Sequence, residues 1–300
     1  MRRLFVHVGF PKTATTTLQT HLFVKHTQVN YLGKPFSERL AQVQRDILTL
    51  DTIQFEKRLE TLQGLLRQEA DAFADGDLLI SEEGFLLNTR YRGHDLGRTA
   101  RRLRSVLSGA LGPRFQLEII VSLRNQVDLF LSHFVQFVKG SQRDFDSYLE
   151  AALEAPAEGF SASLFYDELL SFYAAEYGRE RLHVLLFEDF LRDRPGFITE
   201  LSEILGIDAG ESLGLLEDKH EKQKARRGNA YMARGRNRLA KRLNRALGST
   251  VSIRPQQRAA FEALYRASNS RLQAEFGLPL DEHGYPLEAG ALQAKLSSAG

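Results

Sequence analysis

Short apolar runs, each too brief for a helix, do most to limit the folds open to this chain. They are Leu-Phe-Val-His-Val at residues 4–8, Asp-Leu-Leu-Ile at 77–80, Ile-Ile-Val at 119–121 within 115–123, and Leu-His-Val-Leu-Leu-Phe at 182–187. Runs of this length read as strands buried on both faces, the condition of a parallel sheet. A weaker run, Val-Asn-Tyr-Leu-Gly at 29–33, adds a further short strand. Between them, apolar residues recur at spacings of three and four. Leu40, Val43, Ile47 and Leu50, then Phe55, Leu59, Leu62, Leu65 and Leu66, describe amphipathic helix broken near Asp51. Residues 93–111, 125–139, 164–177 and 195–205 read as helix too, the first of them basic and stopped by Gly112-Pro113. Alternating strand and helix predicts an α/β fold with a mostly parallel central sheet and helices on both faces.

The chain has 300 residues, 43% of them hydrophobic and 26% charged, enough to bury a full core. The expected organisation is a single domain over 1–285 with a helical insertion at about 36–74, and a frayed tail over 286–300. A net charge of +2 is too weak to argue for nucleic acid, and no nucleic-acid partner is expected. There is no cysteine, which excludes disulfides and thiolate metal sites. No carboxylate pattern demands a metal, and none is expected. The apolar run after Met1-Arg2-Arg3 stops at Gly9, short of a signal peptide, and no stretch of about 18 apolar residues exists. The expectation is a soluble, cytoplasmic protein.

The first run leads into Gly9-Phe10-Pro11-Lys12-Thr13-Ala14-Thr15-Thr16-Thr17, which reads as a loop turning into a helix. A helix N-terminus offers unpaired amides and the positive end of the dipole, and small hydroxyl residues let an anion approach the backbone. The segment is therefore a candidate phosphate or sulfate site. Set against the Walker pattern G-x-x-x-x-G-K-[ST], Ala14 takes the second glycine position and Thr15 the lysine position. A P-loop kinase or NTPase needs a lysine at that position and an acidic magnesium partner. The lysine here is Lys12, three residues earlier, approaching from the loop. A second candidate lies at the end of the 117–123 strand, where Arg124 is followed by Ser132 eight residues on. A guanidinium at a parallel strand's carboxyl end suits bidentate contact with phosphate, and a hydroxyl can share it.

Pro-Lys-Thr-x-Thr-Thr-Thr-Leu-Gln after Val-His-Val-Gly resembles the phosphosulfate-binding loop of the sulfotransferase superfamily, nearest to bacterial members acting on carbohydrates or lipids. Alanine at 14 stands where that family usually has glycine. Arg124 with Ser132 is similar to the family's 3′-phosphate signature, although Asn125-Gln126 replaces the usual proline-containing pair. The resemblance extends over most of residues 4–245. It implies a three-layer, P-loop-like fold and an enzyme that moves a sulfuryl group from 3′-phosphoadenosine 5′-phosphosulfate (PAPS) to an acceptor hydroxyl or amine. It implies that Pro11, Lys12, Thr13, Ala14, Thr15, Thr16 and Thr17 bind the 5′ side of the donor, with Lys12 also catalytic. Arg124 and Ser132 would bind the 3′-phosphate.

Ser81-Glu82-Glu83-Gly84 looks like a Ser-x-Glu-Gly segment of the bacterial relatives, and a carboxylate there can take the acceptor's proton. Glu83 is preferred as that base, with Glu82 and Glu38 as alternatives. His7 and His133 are left out of catalysis. Residues 222–245 are dense in lysine and arginine with no acid between them. Arg226, Arg227 and Gly228 there are expected over the 3′-phosphate; a solvated helix or contact with an anionic membrane are the other readings. The acceptor implied is a carbohydrate or lipid-linked hydroxyl, met by the insertion at 36–74 and by 140–165. A non-catalytic glycan- or nucleotide-binding protein on the same fold is the remaining alternative.

Overall fold

The computed structural model describes residues 1–86, 97–138, 144–217, 226–227, 230–232 and 250–289. The chain divides into two compact units, Met1–Leu123 with Leu169–Lys219, and Arg124–Glu168 with His220–Gly300.

The first unit is built on a five-stranded sheet. Its strands are β1 (Arg2–Gly9), β2 (Asn30–Tyr31), β3 (Leu78–Ser81), β4 (Phe115–Leu123) and β5 (Leu182–Leu186), in the order β2-β3-β1-β4-β5. Every pairing is parallel. β1 is central, with His7 beside Ser81 and Ile120, and Gly9 beside Ser122. Side chains alternate along a strand, so Phe5, His7, Leu79, Ile120 and Leu185 share one face and Leu4, Val6, Ile80, Ile119 and Val121 the other. Both faces are buried, which is why these strands read as nearly continuous apolar runs.

Helices cover each face. On the first, Phe5, Leu79, Ile120 and Leu185 pack with Leu18, Leu22 and Phe23, which follow α1 (Thr15–Thr17), and with Phe197, Ile198 and Leu201 of a helix at Arg194–Leu205. On the second lie α2 (Glu38–Thr49), α3 (Thr52–Ala70) and α4 (Gly97–Leu111). Residues 93–96 of the helix expected from 93 lie outside the described residues. The break near Asp51 has a plain cause. α2 stops at Thr49, and the Asp51 carboxylate accepts from Gln54 N at 2.8 Å as the cap of α3, a contact worth ~1 kcal/mol. Arg102 of α4 closes the end of α2 by donating to the carbonyls of Ile47 and Leu50 at 3.1 and 2.8 Å.

The second unit contains α5 (Gln126–His133), α6 (Phe145–Glu154), α7 (Gly159–Ala162) and the start of α8 (Tyr166–Tyr177). A long late helix (Pro255–Phe276) completes its helical part. Phe130, Phe160, Phe261 and Tyr265 form its buried aromatic centre. A small antiparallel sheet joins Arg226–Arg227, Ala230–Met232 and Thr250–Val251. Arg226 and Arg227 therefore sit in extended backbone, not in the helix that a solvated basic stretch suggested. Gly228 and the other lysines and arginines of the basic stretch lie outside the described residues, as do 290–300. Pro286 and Glu288, at the start of the expected tail, are tied to the late helix through Asn269 and Ser270 at 3.0 and 2.9 Å. No helix among the described residues is long and apolar enough to cross a membrane.

Candidate functional site

The loop after β1 is held in an unusual backbone form. Lys12 has φ 79° and Ala14 has φ 63°, ψ 4°, both on the left-handed side that glycine normally occupies. Residues that alternate hands in this way turn successive amides toward one concavity, an anion nest. Such strain persists only where the surroundings over-determine it. Here the Thr13 hydroxyl donates to Phe10 O at 2.7 Å, the Thr13 and Thr15 hydroxyls meet at 3.1 Å, and Phe10 N donates to Ser122 O at 3.3 Å. Gly9 is needed for close approach: a Cβ there would lie 3.3 Å from Ser122 Cβ and from the hydroxyls of Thr13 and Thr15.

Thr15–Thr17 open a short α-helix that continues as π-helical Leu18–Phe23. Its first bond is Leu18 N to Ala14 O at 3.1 Å, which leaves the amides of Thr15, Thr16 and Thr17 without intrahelical acceptors. Pro11, Thr13, Thr15 and Thr17 are buried, Lys12 and Ala14 are half-buried, and Thr16 is exposed. The Thr13 and Thr15 hydroxyls are thus engaged inside the loop, and the backbone amides are its main donors to an anion.

Directly beneath the loop, a buried polar chain crosses the central strands. His7 Nδ1 lies 2.8 Å from Ser81 Oγ and Nε2 lies 2.9 Å from Ser122 Oγ, while Gln19 Nε2 donates to Ser81 Oγ at 3.0 Å. Complete burial pushes the His7 imidazole down to about 4, so it is neutral. It acts as a cross-strand tie that fixes where β1 releases the chain. The strand alternation hides this tie from the sequence, because each partner looks like an isolated polar residue.

The acidic pair after β3 is split by its surroundings. Glu82 is 2% exposed; its N–H continues the sheet ladder by donating to His7 O at 3.0 Å. Its Oε1 accepts from Gly84 N at 2.7 Å and from Lys34 Nζ at 3.2 Å. Its Oε2 lies 3.1 Å from Lys34 Nζ, within ion-pair distance, yet takes no hydrogen bond. Burial raises the Glu82 carboxyl above its usual range, against the pull of Lys34. Glu83 starts a 3₁₀ turn (Glu83–Leu86), is partly exposed, and meets Lys34 only at 3.7 Å. Glu38 is exposed at the first position of α2. Of the three carboxylates the sequence offered, Glu82 is the one that is buried and held by an amide and an ammonium, while Glu83 and Glu38 stand more open to solvent.

In the second unit, Arg124 follows directly on β4 and is 8% exposed; Ser132 is 2% exposed on α5. Tyr166 Oη donates to Arg124 O at 2.6 Å, and Asn125 caps α5 by accepting from Val127 N at 3.1 Å. Asn125 therefore starts the helix, and Gln126 is buried against Asn269 at 2.6 Å. His133 is half-buried, bonded to Tyr148 Oη at 3.0 Å and stacked on Phe160, and desolvation pushes it down to about 4. Among the described residues no cluster of three or more histidines and carboxylates is placed to hold a metal.

A sulfotransferase from Alicyclobacillus acidocaldarius superposes with a TM-score of 0.58 at 18% identity, over 94% of this chain and 98% of that one. The chain has a sulfotransferase fold. A sulfotransferase domain from the curacin biosynthetic pathway (TM-score 0.46, 12% identity, 96% and 99% covered) and mouse sulfotransferase SULT7A1 complexed with PAP (0.44, 14%, 87% and 82%) also match. Neither a protein-family model nor a curated protein matches the sequence. Within the sulfotransferase fold, the loop–helix at 9–17 follows β1 and Glu82 follows its parallel neighbour β3, both at the carboxyl end of the sheet, where α/β folds place ligands.

Proposed function

We propose that this protein is a sulfotransferase that moves a sulfuryl group from PAPS to an acceptor hydroxyl. The observation that carries the reading is the left-handed pair Lys12 and Ala14 opening a helix start beside a buried carboxylate, in a chain with this fold. The donor set suits an anion: first-turn amides of Thr15–Thr17, the Lys12 ammonium, and the Arg124 guanidinium with Ser132 for a second phosphate. β1 and β4 run parallel with Gly9 beside Ser122, and Arg124 is two residues further along the chain. Both candidate anion groups therefore follow the same end of adjacent strands. On this reading both units serve one domain over 1–285, and the Arg226-Arg227-Gly228 segment meets the 3′-phosphate, its two arginines supplying the charge.

PAPS supplies the activated sulfuryl group. Glu82 accepts the proton of the acceptor hydroxyl as its oxygen bonds to sulfur. Lys12 takes up the charge that grows on the bridging oxygen as its bond to sulfur breaks, and that oxygen leaves on the 5′-phosphate of 3′-phosphoadenosine 5′-phosphate (PAP). The transition state of such transfers is loose, so the residues mainly position and stabilise charge. We take the acceptor to be a carbohydrate or lipid-linked hydroxyl, met in the cytoplasm.

The test is transfer from sulfur-labelled PAPS to a panel of sugar and glycolipid acceptors, with Lys12→Ala alongside. The variant is expected to lose kcat on the order of a hundredfold or more, with little change in PAP affinity. PAP should raise Tm, and ATP with Mg²⁺ should not. Stabilisation by ATP–Mg²⁺ alone, or full activity in Lys12→Ala, would refute the reading.

A further inference from the structure

Lys34 lies in the connection from β2 to α2, 48 residues from Glu82, and no motif marks it. Its ammonium nevertheless meets both oxygens of the buried carboxylate, at 3.2 and 3.1 Å, and reaches Glu83 at 3.7 Å. We infer that Lys34 is the positioning residue for the general base: its ammonium keeps the buried Glu82 side chain a carboxylate whose Oε2 is not committed to a hydrogen bond. The inference rests on the assignment of Glu82 as base.

Opposing groups set the charge of Glu82. Burial disfavours its ionised form, and the neighbouring Glu83 carboxylate disfavours it further. Two groups act the other way: the Gly84 amide on Oε1, and Lys34. Tyr31 on β2 is close enough to feel both carboxylates, and its phenol is held above its ordinary value by burial, so it stays neutral. On β1, His7 offers Glu82 only its carbonyl; its ring is neutral and committed to Ser81 and Ser122. On α2, Gln44 is an uncharged neighbour near Gly84. Lys34 is therefore the cation that faces Glu82 among these groups. A lone amide donor does not keep a buried acid ionised near neutral pH, because removing one partner of a buried pair leaves an uncompensated charge. The protein without Lys34 would hold a protonated acid, unable to accept the acceptor's proton until the pH is raised.

Two readouts test this, one of which needs no acceptor. In protein labelled with ¹³C at glutamate carboxyls, the Glu82 resonance is assigned by its loss in Glu82→Gln and titrated. Lys34→Met is expected to raise its midpoint by about one pH unit or more, Lys34→Arg to restore it, and Glu83→Gln to lower it, since a like charge is removed. The acidic limb of kcat/KM, measured with labelled PAPS and n-octyl glucoside, should move by the same amounts in the same directions, with the KM for PAPS unchanged. A structural role for Lys34 would lower Tm without moving either midpoint. A Glu82 midpoint unmoved in Lys34→Met overturns the inference; should that variant not fold, a midpoint unmoved in Lys34→Gln overturns it instead. A midpoint that moves while the rate limb stays overturns the base assignment and leaves the sulfotransferase reading standing. Absence of transfer from PAPS to any acceptor or to water refutes that reading itself.

Discussion

Ala14→Gly puts the backbone of the anion loop to a direct test. Ala14 has φ 63° and ψ 4°, where the Cβ of an L-residue lies too near the following carbonyl, a strain of about 1–2 kcal/mol. Glycine removes that strain in the folded state. It also loosens the unfolded chain, which offsets about 0.4–1 kcal/mol. The methyl is only half-buried, so little packing is lost. The net expectation is a stabilisation of roughly 0.5–1 kcal/mol, or about 1–3 °C in Tm for a chain of this size. Thermal unfolding followed by circular dichroism, with and without PAP, reads it. Ala14→Val serves as the opposite control, because a β-branched side chain is a worse fit to left-handed backbone, and it should lower Tm by several degrees. If Ala14→Gly instead lowered Tm by about 2 °C or more, the strain argument would fail, since glycine's only remaining effect is on the unfolded chain.

Two further outcomes follow from charge and burial. Arg124→Ala should weaken PAP binding about tenfold or more by calorimetry, the loss expected for a charge-assisted phosphate contact, while Ser132→Ala should cost less; unchanged affinity would misplace the 3′-phosphate. His7 and His133 are each pushed to about 4 by burial, while an unfolded histidine titrates near 6.5. Between those values the unfolded chain holds more protons, so stability should be flat above about pH 6.5 and fall below it, by up to about 1.4 kcal/mol per pH unit for each histidine. Urea midpoints from pH 7.5 to 4.5 would show it, and His7→Gln should flatten part of the slope; a flat wild-type profile would contradict the neutral, buried assignment.

Features carried by local pattern were readable from the sequence. The strands at 4–8, 77–80, 115–123 and 182–187 are short and apolar because both faces are covered, and the helix break at Asp51 follows from a side chain that caps its own next turn. Features carried by register were not. Two consecutive acids, Glu82 and Glu83, look equivalent until the pairing of Ser81 with His7 shows that the ladder runs one residue further and then releases the chain. The same register brings Ser81 and Ser122 to His7, and the pairing of Lys34 with Glu82 spans 48 residues with no periodic signal. The strand at Arg226–Arg227 escaped because a run of charge carries no alternation to read.

The replacement of the Walker lysine by Thr15 also has a physical logic. Thr15 is 1% exposed, and its hydroxyl is taken up by Thr13 and the Phe10 carbonyl. A lysine at that position would have to bury an ammonium in space filled by loop hydroxyls, at a desolvation cost of several kcal/mol. Lys12 avoids this by standing earlier in the loop, half-buried, on a left-handed residue that turns the backbone around it. One cation in that position is modest countercharge for a phosphoryl group, which kinases meet with a lysine and magnesium together. A sulfuryl group carries less negative charge, so a single lysine with first-turn amides is a proportionate match. On the proposed reading, the loop's composition thus suits the less charged of these two groups.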